Sequence, residues 1–122
     1  MRASFITYQL RLAQQNEWMT SAYTDMEDPD SVIAGYVQQV DARYVLFFAV
    51  TPWGKPDGWI LRRTEELEQV FYNEDEELRL QALRYIQGWT PTNLLPPPEN
   101  GTETDLLRAV LDLALREARM IS

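Results

Sequence analysis

Residues 18–72 form five short runs rich in β-branched and aromatic side chains, with very little chain between one run and the next. The runs are 18–25, 32–40, 43–51, 58–63 and 67–72. Connections this short join antiparallel neighbours, because a parallel pair needs a crossover of about a dozen residues or more. Five such strands in one small domain predict a strongly bent five-stranded antiparallel sheet or a partly open barrel.

The third run is apolar on both of its alternating faces, from Tyr44 to Val50. A strand of this kind is covered on both sides, so we expect it at the centre of the sheet. The polar residues 26–31, which include Pro29, form the first hairpin loop. The third hairpin carries a Pro-Asp-Gly turn in which Gly58 supplies the left-handed backbone conformation.

Helical spacing appears on both sides of the five runs. Before them, residues 5–15 place Ile6, Leu10 and Ala13 on one stripe, with Ser4 as a candidate cap. After them, a second helix is predicted from the apolar stripe Leu78, Ala82, Tyr85, Ile86 and Trp89. Its predicted ends are a capping box of Asn73 with Glu76 and a C-terminal cap at Gly88.

The last part of the chain separates into a linker and a third helix. Residues 90–103 contain Pro91, three consecutive prolines at 96–98 and an Asn-Gly pair, which predicts an extended, semi-rigid segment. Thr102 or Thr104 can cap the helix over 104–122. Its apolar residues cover more than half of its circumference: Leu106, Leu107, Val110, Leu111, Leu113, Ala114, Leu115, Ala118 and Ile121. We therefore predict an α+β protein with a barrel domain over 1–89, a linker over 90–103 and a final amphipathic helix.

Composition removes most catalytic chemistries. The 122 residues contain neither cysteine nor histidine, so thiolate metal sites, cysteine nucleophiles and the usual general base are missing. We expect a protein that is not an enzyme and that holds no cofactor.

The formal charge of −8 disfavours non-specific binding to phosphate backbones and to anionic membranes. No run approaches the roughly 18 apolar residues of a membrane span, and the N-terminal residues lack a leader pattern, so the expected compartment is the cytoplasm.

The acidic loop after the first run has the composition of a calcium site but not its spacing. Counted from Asp25, an EF-hand loop requires glycine at the sixth position and glutamate at the twelfth, where this chain has Asp30 and Tyr36. The loop is therefore interpreted as a solvated hairpin tip, and no metal site is predicted.

The residues from Gly35 to Val45 resemble the first motif of Sm-like proteins. That motif has a glycine, an aliphatic residue two positions on, an aspartate six on and a base-stacking residue nine on, and these positions hold Gly35, Val37, Asp41 and Tyr44. Arg63 resembles the arginine of the second motif. The resemblance covers about residues 4–72 and implies a strongly bent Sm-like barrel; bulged SH3-like barrels share its features.

The resemblance also implies a candidate ligand site at Asp41, Tyr44 and Arg63, because the family sandwiches a nucleobase between its stacking residue and its arginine. The chain departs from the pattern where the family has an asparagine and a glycine, which are Val45 and Thr64 here. An RNA-binding regulator that uses Tyr44 and Arg63 is therefore kept as the alternative function.

The principal hypothesis is an oligomerising or partner-binding module. In the Sm-like family, the edges of the fourth and fifth strands join neighbouring subunits, and the broad final helix adds apolar contact area. Tryptophans on either side of the third hairpin add exposed aromatic surface. The candidate partner-binding residues are Trp53, Trp59, Leu106, Leu107, Val110 and Leu111. We expect a homo-oligomer or a complex with another protein.

Overall fold

A computed structural model of the chain describes residues 2–94 and 105–120. In these two stretches, the helices are α1 (Arg2–Asn16), α2 (Asp75–Gln87) and α3 (Leu106–Met120). The strands are β1 (Met19–Tyr23), β2 (Val32–Val40), β3 (Tyr44–Val50), β4 (Pro56–Arg63) and β5 (Gln69–Tyr72). The predicted α+β class and the order of its elements are confirmed. The proline run at 96–98 and Ile121 lie outside the described residues.

The five strands form one antiparallel sheet in the order β4-β3-β2-β1-β5. The expectation that every short connection joins neighbours is wrong for β4 and β5, which lie at opposite edges and are joined through the short 3₁₀ helix Thr64–Glu66. That connection spans at most about 17 Å, whereas the edges of a flat five-stranded sheet lie about 19 Å apart. The sheet must therefore curl to bring its two edges closer together. At the end of the connection, the backbone N–H of Glu68 donates a hydrogen bond to the Tyr23 carbonyl of β1 at 2.8 Å, which fixes the connection beside that strand.

One face of the sheet packs against α1, which contacts β2 and β5. The predicted stripe of this helix is buried, since Ile6, Leu10 and Ala13 all lie in the core. Their cluster also contains Ala22, Ile33, Val37, Val45, Phe47, Leu67 and Val70. This face supplies the largest of the buried clusters.

The opposite face is covered by α2 and α3. Leu80 of α2 packs with a cluster that includes Met19, Tyr36 and Phe48, and Leu106 of α3 packs on Leu46. Because Val45 and Phe47 face α1 while Leu46 and Phe48 face the other helices, β3 is buried on both sides, as its sequence predicts.

The bend in β2 depends on two neighbouring features. Gly35 lies so close to β3 that a Cβ atom there would overlap the Phe48 carbonyl oxygen. Two residues later the pairing of β2 with β3 shifts between Val37 and Gln39, which makes Gln38 the extra residue of a β-bulge. Bulges sharpen the local twist and bend of a strand, so both features help the sheet to curl.

The predicted helix caps require correction. Helix α1 begins at Arg2, so Ser4 lies inside it rather than at its cap. Helix α2 has Glu74 as its cap, and the Glu77 carboxylate accepts a hydrogen bond from the Glu74 backbone at 3.2 Å. The capping box is thus one residue later than the predicted pair of Asn73 and Glu76, because Asn73 adopts a left-handed conformation with φ 61°.

The buried face of α2 also differs from the one that its apolar stripe indicates. Leu78, Tyr85 and Ile86 of that stripe are 55%, 67% and 81% exposed, whereas Leu80 and Leu83 face the sheet. The sheet covers the side of the helix that has fewer apolar residues, and of the predicted stripe it is Trp89, just after the helix, that packs with Tyr36 and Phe48. The helix itself and its Gly88 cap (φ 77°) are confirmed.

Candidate functional site

Asp41 lies in the β2–β3 turn and fixes two parts of the chain. One carboxylate oxygen, Oδ1, accepts hydrogen bonds from the backbone N–H groups of Arg43 and Tyr44, each at 2.7 Å. The other, Oδ2, accepts from the backbone N–H of Leu106 at 2.9 Å. Both oxygens of Asp41 therefore bind backbone N–H groups of the chain itself, and the second oxygen fixes the start of α3.

Helix α3 is also capped by Asp105, whose side chain accepts a hydrogen bond from the backbone N–H of Arg108 at 3.3 Å. The predicted caps of this helix, Thr102 and Thr104, lie outside the described residues.

Tyr44 and Arg63 are directly opposite each other in the β3–β4 pairing, so the structure brings the predicted pair together. Their side chains are engaged elsewhere. Tyr44 packs against the cluster of Leu46 and Leu106 beneath α3. Arg63 forms an ion pair with Glu65. Within the described residues, the arginine that lies over aromatic rings is Arg84 and not Arg63.

Helix α3 carries apolar side chains on two sides. The inward stripe, which packs towards Leu46, consists of Leu106, Ala109, Val110 and Leu113. The outward stripe consists of Leu107, Leu111, Ala114 and Leu115. Leu111 and Leu115 are 52% and 59% exposed. Of the candidate partner-binding residues on this helix, Leu106 and Val110 thus contact the chain's own sheet, whereas Leu111 faces away from it.

The two tryptophans of the third hairpin have different environments. Trp59 packs edge-to-face on Phe48, and its indole N–H donates to Gln38 Oε1 at 3.1 Å and to the Thr92 carbonyl at 3.0 Å. It therefore ties β4 to the bulge of β2 and to the segment after α2. Trp53 is 73% exposed and remains available for contact.

A cavity of about 390 Å³ lies between the bulge of β2, the end of α1 and the segment after α2. Its lining includes Tyr36, Gln38, Arg84 and Glu17. A second cavity of about 330 Å³, which opens between α1 and α2, shares Glu17 and Arg84 with the first. No local motif indicates this region, because its residues come from four separate segments of the chain. The one sequence signal that points to this region is the charged residue Arg84 within a partly apolar face of α2.

Arg84 is held in place by contacts on several sides. Its Nε donates to the Trp89 carbonyl at 3.2 Å, and its Nη1 donates to the Tyr36 hydroxyl at 2.9 Å. The guanidinium carbon lies 5.3 Å from the ring centre of Tyr36 and 4.9 Å from that of Tyr85. The Tyr36 hydroxyl in turn donates to Gln81. Burial raises the pKa of Tyr36, although the hydrogen bond from Arg84 acts in the opposite direction.

Residues 2–94 and 105–120 contain no group of three or more acidic side chains placed to hold a metal ion. In the same part of the chain, no helix has both the length and the apolar character that crossing a bilayer requires. Comparisons of the chain with protein-family models, with curated proteins and with solved structures find no match.

Proposed function

We propose that the chain is a non-enzymatic protein-interaction module of the Sm-like type that self-associates through the outward stripe of α3. The observation that carries this proposal is the exposure of Leu111 and Leu115 on a helix whose other side is already packed on the sheet. Contiguous exposed apolar residues are typical of interaction sites. A second copy offers the same stripe, and two copies can pack these stripes together about a two-fold axis.

The edges of the sheet support self-association by a second route. Strands β4 and β5 are each paired on one side only within the sheet, and such edges invite pairing with another chain. The two edges differ in charge, since β4 ends in Arg62 and Arg63 whereas Glu66 and Glu68 precede β5. This difference favours pairing of β4 with the β5 of another copy over pairing of like edges. Sm-like proteins assemble through these two edges.

Light scattering coupled to size-exclusion chromatography tests the proposal on the full chain. We expect the wild-type protein to elute with the mass of two or more chains and the double variant Leu111→Glu/Leu115→Glu to have a lower mass. Burying a leucine contributes about 1.5–3 kcal/mol, so placing two charges in the contact should weaken association by several powers of ten. The double variant Arg108→Gln/Arg116→Gln changes the net charge equally on the same helix and should keep the wild-type mass.

The measured masses also separate the two routes. Pairing through α3 stops at two copies, whereas head-to-tail pairing of β4 with β5 builds a ring or a longer assembly that persists in the Leu111→Glu/Leu115→Glu variant. A wild-type protein that remains a single chain at about 100 μM would refute self-association.

A further inference from the structure

The cavity beside Arg84 has the size and chemistry of a small-molecule site. Its volume of about 390 Å³ lies within the range of known ligand pockets, which runs from about 300 to 1,000 Å³. Amide side chains from different parts of the chain line it, namely Gln14, Gln38 and Asn93. Gln38 already bonds to Thr92, Trp59 and Leu94, and Gln14 Nε2 donates to the Gln38 carbonyl. The amide groups that face a polar ligand are therefore the Oε1 of Gln14 and the side chain of Asn93, which can accept and donate hydrogen bonds.

Arg84 is a preorganised cation at the edge of this cavity. Two hydrogen bonds and two aromatic rings fix its guanidinium, yet no carboxylate of the described residues lies within ion-pair distance of it. By contrast, Arg63 and Arg79 are paired with Glu65 and Glu76. A guanidinium that is already immobilised loses little conformational entropy when it binds a planar anionic group such as a carboxylate.

Glu17 supplies the opposite charge. It lines both of the cavities that Arg84 lines, and the two side chains form no ion pair with each other. Glu17 also adopts a left-handed backbone conformation, with φ 55°, at the end of α1. A cation and an anion that border the same space without touching match a ligand that carries both charges.

We propose that this cavity binds a free α-amino acid with a polar side chain, whose carboxylate pairs with Arg84 and whose ammonium group pairs with Glu17. The side chain of the ligand extends along the amide-lined wall of the larger cavity. This site is separate from the outward stripe of α3, so the proposal does not depend on self-association.

Isothermal titration calorimetry with three related probes tests the proposal on the full chain. L-Glutamine carries both charged groups, glutaramate lacks the ammonium group, and γ-aminobutyramide lacks the carboxylate. We expect L-glutamine to bind with a dissociation constant of about 1 mM or below and each of the other two probes to bind at least about tenfold more weakly.

Variants of Arg84 and Glu17 test which residue binds the carboxylate and which binds the ammonium group of the ligand. Arg84→Gln should weaken L-glutamine binding at least about tenfold, and Arg84→Lys should recover part of the loss, because lysine keeps the charge but not the planar fork. Glu17→Gln should weaken L-glutamine binding and leave glutaramate binding unchanged. Arg79→Gln, an exposed position on the same helix, serves as the control and should bind L-glutamine as the wild type does.

Three results would overturn the proposal: no common L-amino acid bound at about 10 mM, wild-type affinity in the Glu17→Gln variant, or equal affinity for L-glutamine and glutaramate. Glu17 is exposed, so its replacement decides the matter even if Arg84→Gln unfolds the chain.

Discussion

Tyr36 is a buried tyrosine whose hydroxyl lies between Arg84 and Gln81. Burial raises its pKa above the ordinary value of about 10. A group whose pKa is raised by folding stabilises the folded state at pH values below its unfolded pKa, and this contribution is lost as the pH rises through the folded pKa. We therefore expect an alkaline limit to stability that begins above pH 10 or so.

The change that tests this expectation is Tyr36→Phe. In an absorbance titration of the folded wild-type protein, Tyr36 should ionise above the ordinary pH of about 10, and this late component should be missing from Tyr36→Phe. Tyr8→Phe, at an exposed position of α1, is the control and should keep the late component. A late component that survives in Tyr36→Phe would show that another tyrosine produces it.

Gly35 is the residue at which the bent sheet tolerates no side chain. A methyl group there overlaps the backbone of β3, which cannot move without disturbing a buried strand. We expect Gly35→Ala to lower the free energy of unfolding by about 3 kcal/mol in chemical denaturation, which is the upper part of the range for overpacking.

Gly88 provides the comparison for Gly35. It has a positive φ of 77°, but a Cβ atom added there would meet no other atom within 4 Å. Its replacement by alanine should cost about 1 kcal/mol, the cost of a left-handed alanine. Equal losses at the two glycines would show that the close approach of β2 to β3 is not what constrains Gly35.

At the scale of elements, the sequence predicts the presence of a helix or strand more reliably than it predicts which face of a helix is buried. Alternating patterns and turn signals located all five strands, although the predicted turn at Pro56 to Gly58 lies within β4. The short connections did not predict that β4 and β5 lie at opposite edges of the sheet. The buried side of α2 was not predictable, because its two helix faces both carry apolar residues: Leu80 and Leu83 on one, Leu78 and Ile86 on the other. The choice depends on the shape of the sheet, which no local pattern contains.

The candidate site shows the same limit. The motif resemblance predicted that Tyr44 and Arg63 lie together, and the β3–β4 register places them opposite each other. It did not predict that α3 packs over Tyr44, because that contact joins residues about 60 positions apart through a linker. Arg84 was missed for a related reason, since its partners belong to separate elements.

Asp41 connects the β2–β3 turn to the start of α3, so its replacement tests how that helix is held. Asp41→Ala removes hydrogen bonds to three backbone N–H groups and should lower the free energy of unfolding by about 2 kcal/mol. Hydrogen exchange should accelerate more in α3 than in α2, because the Asp41 carboxylate accepts a hydrogen bond from the start of α3.

Asp57→Ala is the matched control for Asp41→Ala, since Asp57 is an exposed aspartate in another hairpin. It should leave hydrogen exchange in α3 unchanged. Unchanged exchange in Asp41→Ala as well would show that the packing of Leu106 on Leu46 holds the helix without help from the carboxylate.

For the whole molecule, net charge and site geometry give the same expectation about RNA. The chain carries a formal charge of −8, Glu65 is paired with Arg63, and Tyr44 is packed beneath α3. We expect a uridine-rich oligonucleotide to bind more weakly than about 1 μM in fluorescence anisotropy near physiological salt. Tighter, salt-sensitive binding that Tyr44→Ala abolishes would contradict this prediction and support the RNA-binding alternative.

The pairing of β1 with β5 has a consequence for how the chain folds. Thr20 pairs with Tyr72, so β1 acquires its second neighbour only after about 50 further residues have been synthesised. Until then, β1 is an open edge of a four-stranded meander, and α1 lacks its contacts with β5. At synthesis rates of about 5–20 residues per second, this edge stays exposed for several seconds, a period in which a chaperone can bind it or a neighbouring nascent chain can pair with it.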